Sequence, residues 1–214
     1  MLNDLVSLLF RLKGRLVNEN FTLDDVLNDI AERLQRAARD RRSAMHMPVV
    51  GTGDGDLRMM VLRACDPDFA QVRFHTDARS HKVEVIGPGA PVGLLAFDPE
   101  AKVQIRARGT GRIETSGELV DAAWAQADAY ARRCYLAEAG PGAPIARLAS
   151  GLPAAVEGIR PSEEQLVPAR ENFAVLLVTL TSLDWLYLAH NGHRRARFSR
   201  GEPGQPWQET WVIP

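Results

Sequence analysis

Cysteine is almost absent from this 214-residue chain: Cys65 and Cys134 are the only two. They form no CxxC and no pair with metal-ligand spacing, so no disulfide framework and no metal are expected. A reduced, cytoplasmic setting is the expectation. Charge of one sign is lacking as well. The 26 basic residues face 27 acidic ones for a formal net charge of −1, which argues against a general nucleic-acid binder. No apolar run approaches the roughly 20 residues of a membrane span. Residues 2–12 hold a short one, bracketed by Asp4, Arg11 and Lys13. It has neither a basic leader region nor a small-residue cleavage site and reads as an amphipathic helix. Lysine is scarce, with only Lys13, Lys82 and Lys102. GxSxG, HExxH, a P-loop and a GxGxxG following a strand are all missing, which removes the serine-hydrolase, zinc-protease and dinucleotide-fold readings. No side chain stands out as a catalytic acid, base or nucleophile.

What is present is an average soluble composition, 45% hydrophobic and 25% charged, at a length suited to one domain over residues 1–214. Residues 1–42 read as N-terminal helices and 43–214 as a barrel with an inserted helix over 116–138. In the first part, Thr22 and Asp25 form a capping-box pattern. Leu23, Val26, Leu27, Ile30, Ala31 and Leu34 then make one apolar stripe. From residue 47 the period becomes two. Strands are expected at 47–52, 57–64, 71–76, 91–97, 102–114, 173–181, 183–189, 193–200 and 207–213, with a short helix at 79–86. Gly109 and Gly111 suggest a bulge in the long strand. Cys134 falls on the apolar stripe of the inserted helix and reads as core. Short turns and a meander order give a mostly β, or α+β, antiparallel split barrel with flanking helices.

Four segments carry candidate chemistry. Arg79-Ser80-His81-Lys82 follows the strand ending in His75-Thr76 and opens a helix; its donors suit a phosphate, although a solvated basic turn fits as well. Arg58 and Arg63 lie five apart in one strand and so face opposite sides. Gln104, beside Arg106 and Arg108, can both donate and accept at a heterocycle edge, or simply face solvent. Arg194, Arg195, Arg197 and Arg200 make a strand of one sign that suits an anion or a solvated edge equally.

In order, Arg58-Met59-Met60-Val61-Leu62-Arg63, Phe74-His75-Thr76-Asp77, Ser80-His81-Lys82, Leu94-Leu95-Ala96-Phe97 and Val103-Gln104-Ile105-Arg106 resemble the R-x-V-L-L-K, F-Y-T-N, S-R-K, L-L-F and R-Q-V segments of the pyridoxamine 5'-phosphate oxidase family. Those proteins are FMN-binding split barrels. The resemblance runs from about residue 40 to the C-terminus. It implies an FMN-dependent oxidoreductase, hydride transfer between a small substrate and flavin N5, and a homodimer with FMN at its interface. It implies cofactor contacts from Arg58, Met59, Val61, Leu62, Arg63, His75, Thr76, Arg79, Ser80, His81, Lys82, Gln104, Trp185 and Arg197. Arg63, Tyr130 and Arg133 are the implied substrate residues. Arg132-Arg133-Cys134-Tyr135-Leu136 departs from the family's R-P-x-x-S-x-x-G-A substrate segment. The substrate therefore stays open between a vitamin B6 phosphate and another molecule, with a non-catalytic FMN-binding protein as the further alternative.

Overall fold

The computed structural model describes residues 21–214, so the segment 2–12 lies outside the described residues. Helix α1 (Leu23–Arg39) begins where the sequence places it. The Thr22 hydroxyl accepts from the Asp25 N–H, and the Asp25 carboxylate accepts from the Thr22 N–H at 3.0 Å. Two of the free N–H groups at the helix start are thereby satisfied. Val26, Ile30, Leu34 and Ala37 form the buried face, which packs onto the barrel core.

The strands are β1 (Val49–Thr52), β2 (Leu57–Met59), β3 (Leu62–Cys65), β4 (Gln71–Asp77), β5 (Ala90–Asp98), β6 (Val103–Glu114), β7 (Phe173–Tyr187), β8 (Arg194–Ser199) and β9 (Gln208–Val212). Helix α2 (His81–Ile86) follows β4; α3 (Glu118–Gln126), α4 (Ala129–Arg133) and α5 (Glu163–Leu166) precede β7. The strand order is β2-β1-β5-β6-β7-β4-β3, with β8 on β7 and β9 on β8. This is not the expected meander: β1 lies beside β5 and β4 beside β7.

The expected strand 57–64 is broken. Its first half pairs with β1 and its second with β4. Between them, the Met60 N–H donates to the Pro48 carbonyl at 3.1 Å and the Leu62 N–H to the His46 carbonyl at 2.9 Å. The two ends of the sheet are thus consecutive pieces of chain, and the sheet curls into a half-barrel. The opposite correction holds for β7, where two expected strands run as one of 15 residues. Opposite it, the register with β6 shifts between Arg108 and Gly109. A Cβ on Gly109 would sit 1.9 Å from the Thr179 carbonyl oxygen, so only glycine allows the two backbones to approach there. Along its other edge β7 changes partner, from β4 over Phe173–Thr179 to β8 over Ser182–Tyr187.

Val50, Leu62, Phe74, Ile105, Leu176, Trp185 and Phe198 fill the barrel. Phe173, Val175 and Leu177, on the other face of β7, pack with Val120, Ala123 and Tyr135 of the inserted segment. That insert is not the single helix expected over 116–138. Ser116 does not cap it: α3 starts after Gly117, at φ 99°, without a side-chain cap. The helix then breaks because Ala127 and Asp128 are extended and the Asp128 carboxylate accepts from the Tyr130 N–H at 2.8 Å. The break turns Cys134 outward, where it is exposed rather than core. No described helix is long and apolar enough to cross a membrane.

Candidate functional site

The C-terminal ends of β1 and β4 and the start of β2 come together beside α2. β1 alternates so that Val50 and Thr52 face inward, and Arg58, opposite Val50, follows them. Its guanidinium donates to the Thr52 hydroxyl at 2.8 Å and pairs with Asp56. On β4, Val72, Phe74 and Thr76 face inward. The Thr76 hydroxyl lies 3.3 Å from the Ser80 hydroxyl and accepts from Lys82 Nζ at 3.3 Å. Lys82 is half-buried. Its ammonium is pushed below the ordinary lysine value, first by burial and then by the neighbouring Arg58 charge. Ser80 does not cap α2; its hydroxyl donates to the Asp77 carbonyl at 2.7 Å. His81 lies at the rim, 3.4 Å from both Asp54 and Glu84. Arg58, Thr76, Ser80, His81 and Lys82 therefore form one cradle of donors, bordered by the acidic β1–β2 turn.

The other expected residues lie elsewhere. The Arg79 guanidinium grips Asp77 through two bonds, at 3.0 and 2.8 Å, and donates to the Ala137 carbonyl at 2.8 Å, toward the insert. Because the strand breaks at Met60 and Val61, the parity argument for Arg58 and Arg63 does not apply. Leu62 is core, Val61 half-buried and Met59 exposed. Arg63, Arg73 and His75 instead cluster on the outer face of β3 and β4. His75 packs edge-on against Phe173 at 4.9 Å. Burial, then the Arg63 and Arg73 charges, lower its pKa to about 3. Nε of both arginines and Nε2 of His75 are buried without a hydrogen-bond partner. Tyr130 is exposed under the Arg133 guanidinium at 5.2 Å, and Arg133 donates to the Ile159 carbonyl at 2.7 Å.

Trp185 corrects the sequence reading. It is fully buried, stacks on Phe21 and Tyr187, and its indole N–H donates to Asp29 at 2.8 Å. No ring face remains for a flavin; this tryptophan fastens α1 to the barrel. Gln104 faces outward on β6, between Phe97 and Leu186 across the ladder. Arg197 also faces outward, on β8, bonded to Asp184 at 3.2 Å. Arg106 and Arg195 reach the same carboxylate at 2.7 and 2.8 Å. Burial works against the Asp184 charge, yet the arginines hold its carboxyl below the usual aspartate range.

No protein-family model matches the chain, and no curated protein matches it. Solved structures do. A pyridoxamine 5'-phosphate oxidase-related, FMN-binding protein from Nostoc punctiforme superposes with a TM-score of 0.61. It shares 22% identity, over 87% of this chain and 96% of that one. The fold is that of the pyridoxamine 5'-phosphate oxidase-like split barrels. PhzG from Burkholderia lata, solved with tetrahydrophenazine-1-carboxylic acid, shares this split barrel. It superposes with a TM-score of 0.64 at 16% identity, over 93% of this chain and 98% of that one.

Within the split-barrel frame, three site features escaped sequence reasoning. Asp54 and Asp56 read only as turn formers, since Asp favours tight turns whatever its charge does. Asp184 is a lone acid in an apolar strand, and that isolation opposite a basic strand was the signal available. Arg73 sits on the alternating outer face with His75, a placement the period-two pattern already contained.

Proposed function

We propose that the chain binds FMN at the cradle and works as an FMN-dependent oxidoreductase. The observation that carries this is the convergence of Arg58, Lys82, Thr76 and Ser80 at the strand ends of a fold shared with a protein described as FMN-binding. A phosphate monoester with close to two negative charges needs several donors and a cation held out of bulk water. The half-buried Lys82 and the two hydroxyls meet that need. Bound there, FMN would supply two-electron hydride chemistry. The chain's own work is to hold and orient. Lys82 and Arg58 neutralise the phosphate, Thr76 and Ser80 fix its oxygens, and His81 covers the rim. Asp56 pairs with Arg58 meanwhile, so the phosphate must displace or share that contact.

The substrate follows less closely from the vitamin B6 enzymes. Tyr130 and Arg133 are tied to the 156–160 loop rather than gathered with Arg63. A homodimer is part of the proposal. The edge strand β2 exposes Leu57 and Met59, apolar side chains that a second copy would cover. The test is to purify the protein, denature it and identify the released chromophore by absorbance and mass. FMN at close to one per chain is expected. A folded, colourless protein that takes up no added FMN overturns the reading.

A further inference from the structure

We propose that Asn191-Gly192, in the turn between β7 and β8, is a site of self-modification, where the asparagine converts to aspartate and isoaspartate without an enzyme. This inference concerns neither the cradle nor any ligand and does not rest on FMN binding. Ring closure by an asparagine needs a free side-chain amide, an uncrowded backbone nitrogen after it, and a cation and proton carriers close by.

The turn supplies each of these. Asn191 and Gly192 are exposed, and so are the flanking imidazoles of His190 and His193. Among the described residues, the Asn191 side chain makes no hydrogen bond. Gly192 has no side chain to crowd its nitrogen, and its φ of 114° lies in the region that favours glycine. The Gly192 N–H is held by the Ala189 carbonyl at 3.3 Å, longer than an ordinary N–H···O bond. The Arg194 guanidinium folds back over the glycine. It donates to the Gly192 and His193 carbonyls, both at 3.0 Å, and would stand 3.3 Å from a Cβ on Gly192. A cation there favours the negative charge that develops as the ring closes. The other described asparagines lack this setting. Asn28 is exposed but sits inside α1, where the next N–H belongs to the helix ladder. The Asn172 amide donates to the Tyr135 carbonyl at 2.9 Å, and the next residue is the buried Phe173.

The Gly192 nitrogen gives up its proton and bonds to Asn191 Cγ, an intramolecular attack favoured by proximity. The Cγ–Nδ2 bond breaks, and ammonia leaves with that proton. Water then opens the cyclic imide at either carbonyl, breaking its bond to nitrogen, and yields aspartate or isoaspartate. The only other reactant is water. The product carboxylate arises next to the Arg194 guanidinium at the start of β8, the strand that brings Arg195 and Arg197 to Asp184. With Arg106, which also bonds Asp184, and Arg108, which lines the same cleft, they make an outer row of four arginines around one acid. The modification adds negative charge at the edge of a row that is short of it.

The experiment is incubation of the full-length protein in mildly alkaline buffer, followed by mass spectrometry of the tryptic peptide 171–194, which holds Asn172 as an internal control. Conversion at residue 191 is expected to run at least tenfold ahead of Asn172 and Asn28, with part of the product accepting isoaspartate-specific carboxyl methylation. Gly192→Ala should slow it at least tenfold. Arg194→Gln, which changes an exposed side chain, should slow it severalfold without moving the melting temperature. An unmodified residue 191, equal conversion at Asn172, or an unchanged rate in Arg194→Gln would each overturn the proposal. The FMN content of the same samples decides the flavin reading separately.

Discussion

The cradle and the outer arginine row are both cationic, and they are balanced in opposite ways. In the cradle the two cations have partners close by in sequence, Asp56 for Arg58 and the Thr76 hydroxyl for Lys82, while the His81 ring lies between Asp54 and Glu84. The outer row gathers four arginines from two strands around the single Asp184 of a third. A locally balanced site is stable when empty, and any anion must compete with the residents. An under-balanced site attracts anions by its surplus charge. Strand pairing creates that surplus, through the β7–β8 hairpin for Arg195 and Arg197 and from β6, 78 residues away, for Arg106.

The sharpest way to break the comparison is Lys82→Ala. It removes the one desolvated ammonium of the cradle, and a charge-assisted hydrogen bond is worth roughly 1.5–3 kcal/mol. FMN affinity should fall by about 10- to 100-fold in a fluorescence titration, while the Asp184 cluster of the outer row keeps the fold intact. An unchanged FMN affinity would mean that the phosphate is held elsewhere.

Asp56→Asn sharpens it from the other side. If Asp56 competes with the phosphate for Arg58, removing its charge should tighten FMN severalfold, on the scale of a partly exposed ion pair of about 1 kcal/mol or less. Unchanged or weaker binding would show that Asp56 positions Arg58 rather than opposing the ligand.

The smallest effect concerns the third cluster, Arg63, Arg73 and His75. The folded pKa of His75, about 3, lies below its ordinary value of 6.5. The unfolded chain therefore binds the proton more readily. The stability His75 contributes is present above pH 6.5 and is lost as pH falls toward 3. Urea midpoints should decline across that window, and His75→Phe should flatten the decline. A midpoint curve identical in the two proteins would remove His75 as a cause.

Much of this was readable from residue order. The capping box at Thr22 and Asp25, the inward alternation of Val72, Phe74 and Thr76, and the bulge at Gly109 are local patterns with local causes. The gathering of Thr76, Ser80 and Lys82 was readable because seven residues span it. What was not readable depends on partners far along the chain. The break at Met60 and Val61 arises because β2 and β3 pair with different neighbours. The continuity of β7 arises because its edge passes from β4 to β8 within one strand. Trp185 is a flavin contact only by the family resemblance. Its role was decided by Asp29, 156 residues away.

The central claim is that donors at the ends of β1 and β4 hold the phosphate of FMN. A titration of apo-protein with FMN, repeated with riboflavin, tests it most directly, since the two differ only by that phosphate. One saturable FMN site per chain is expected, with riboflavin bound at least tenfold more weakly. Equal affinity for the two flavins would contradict it.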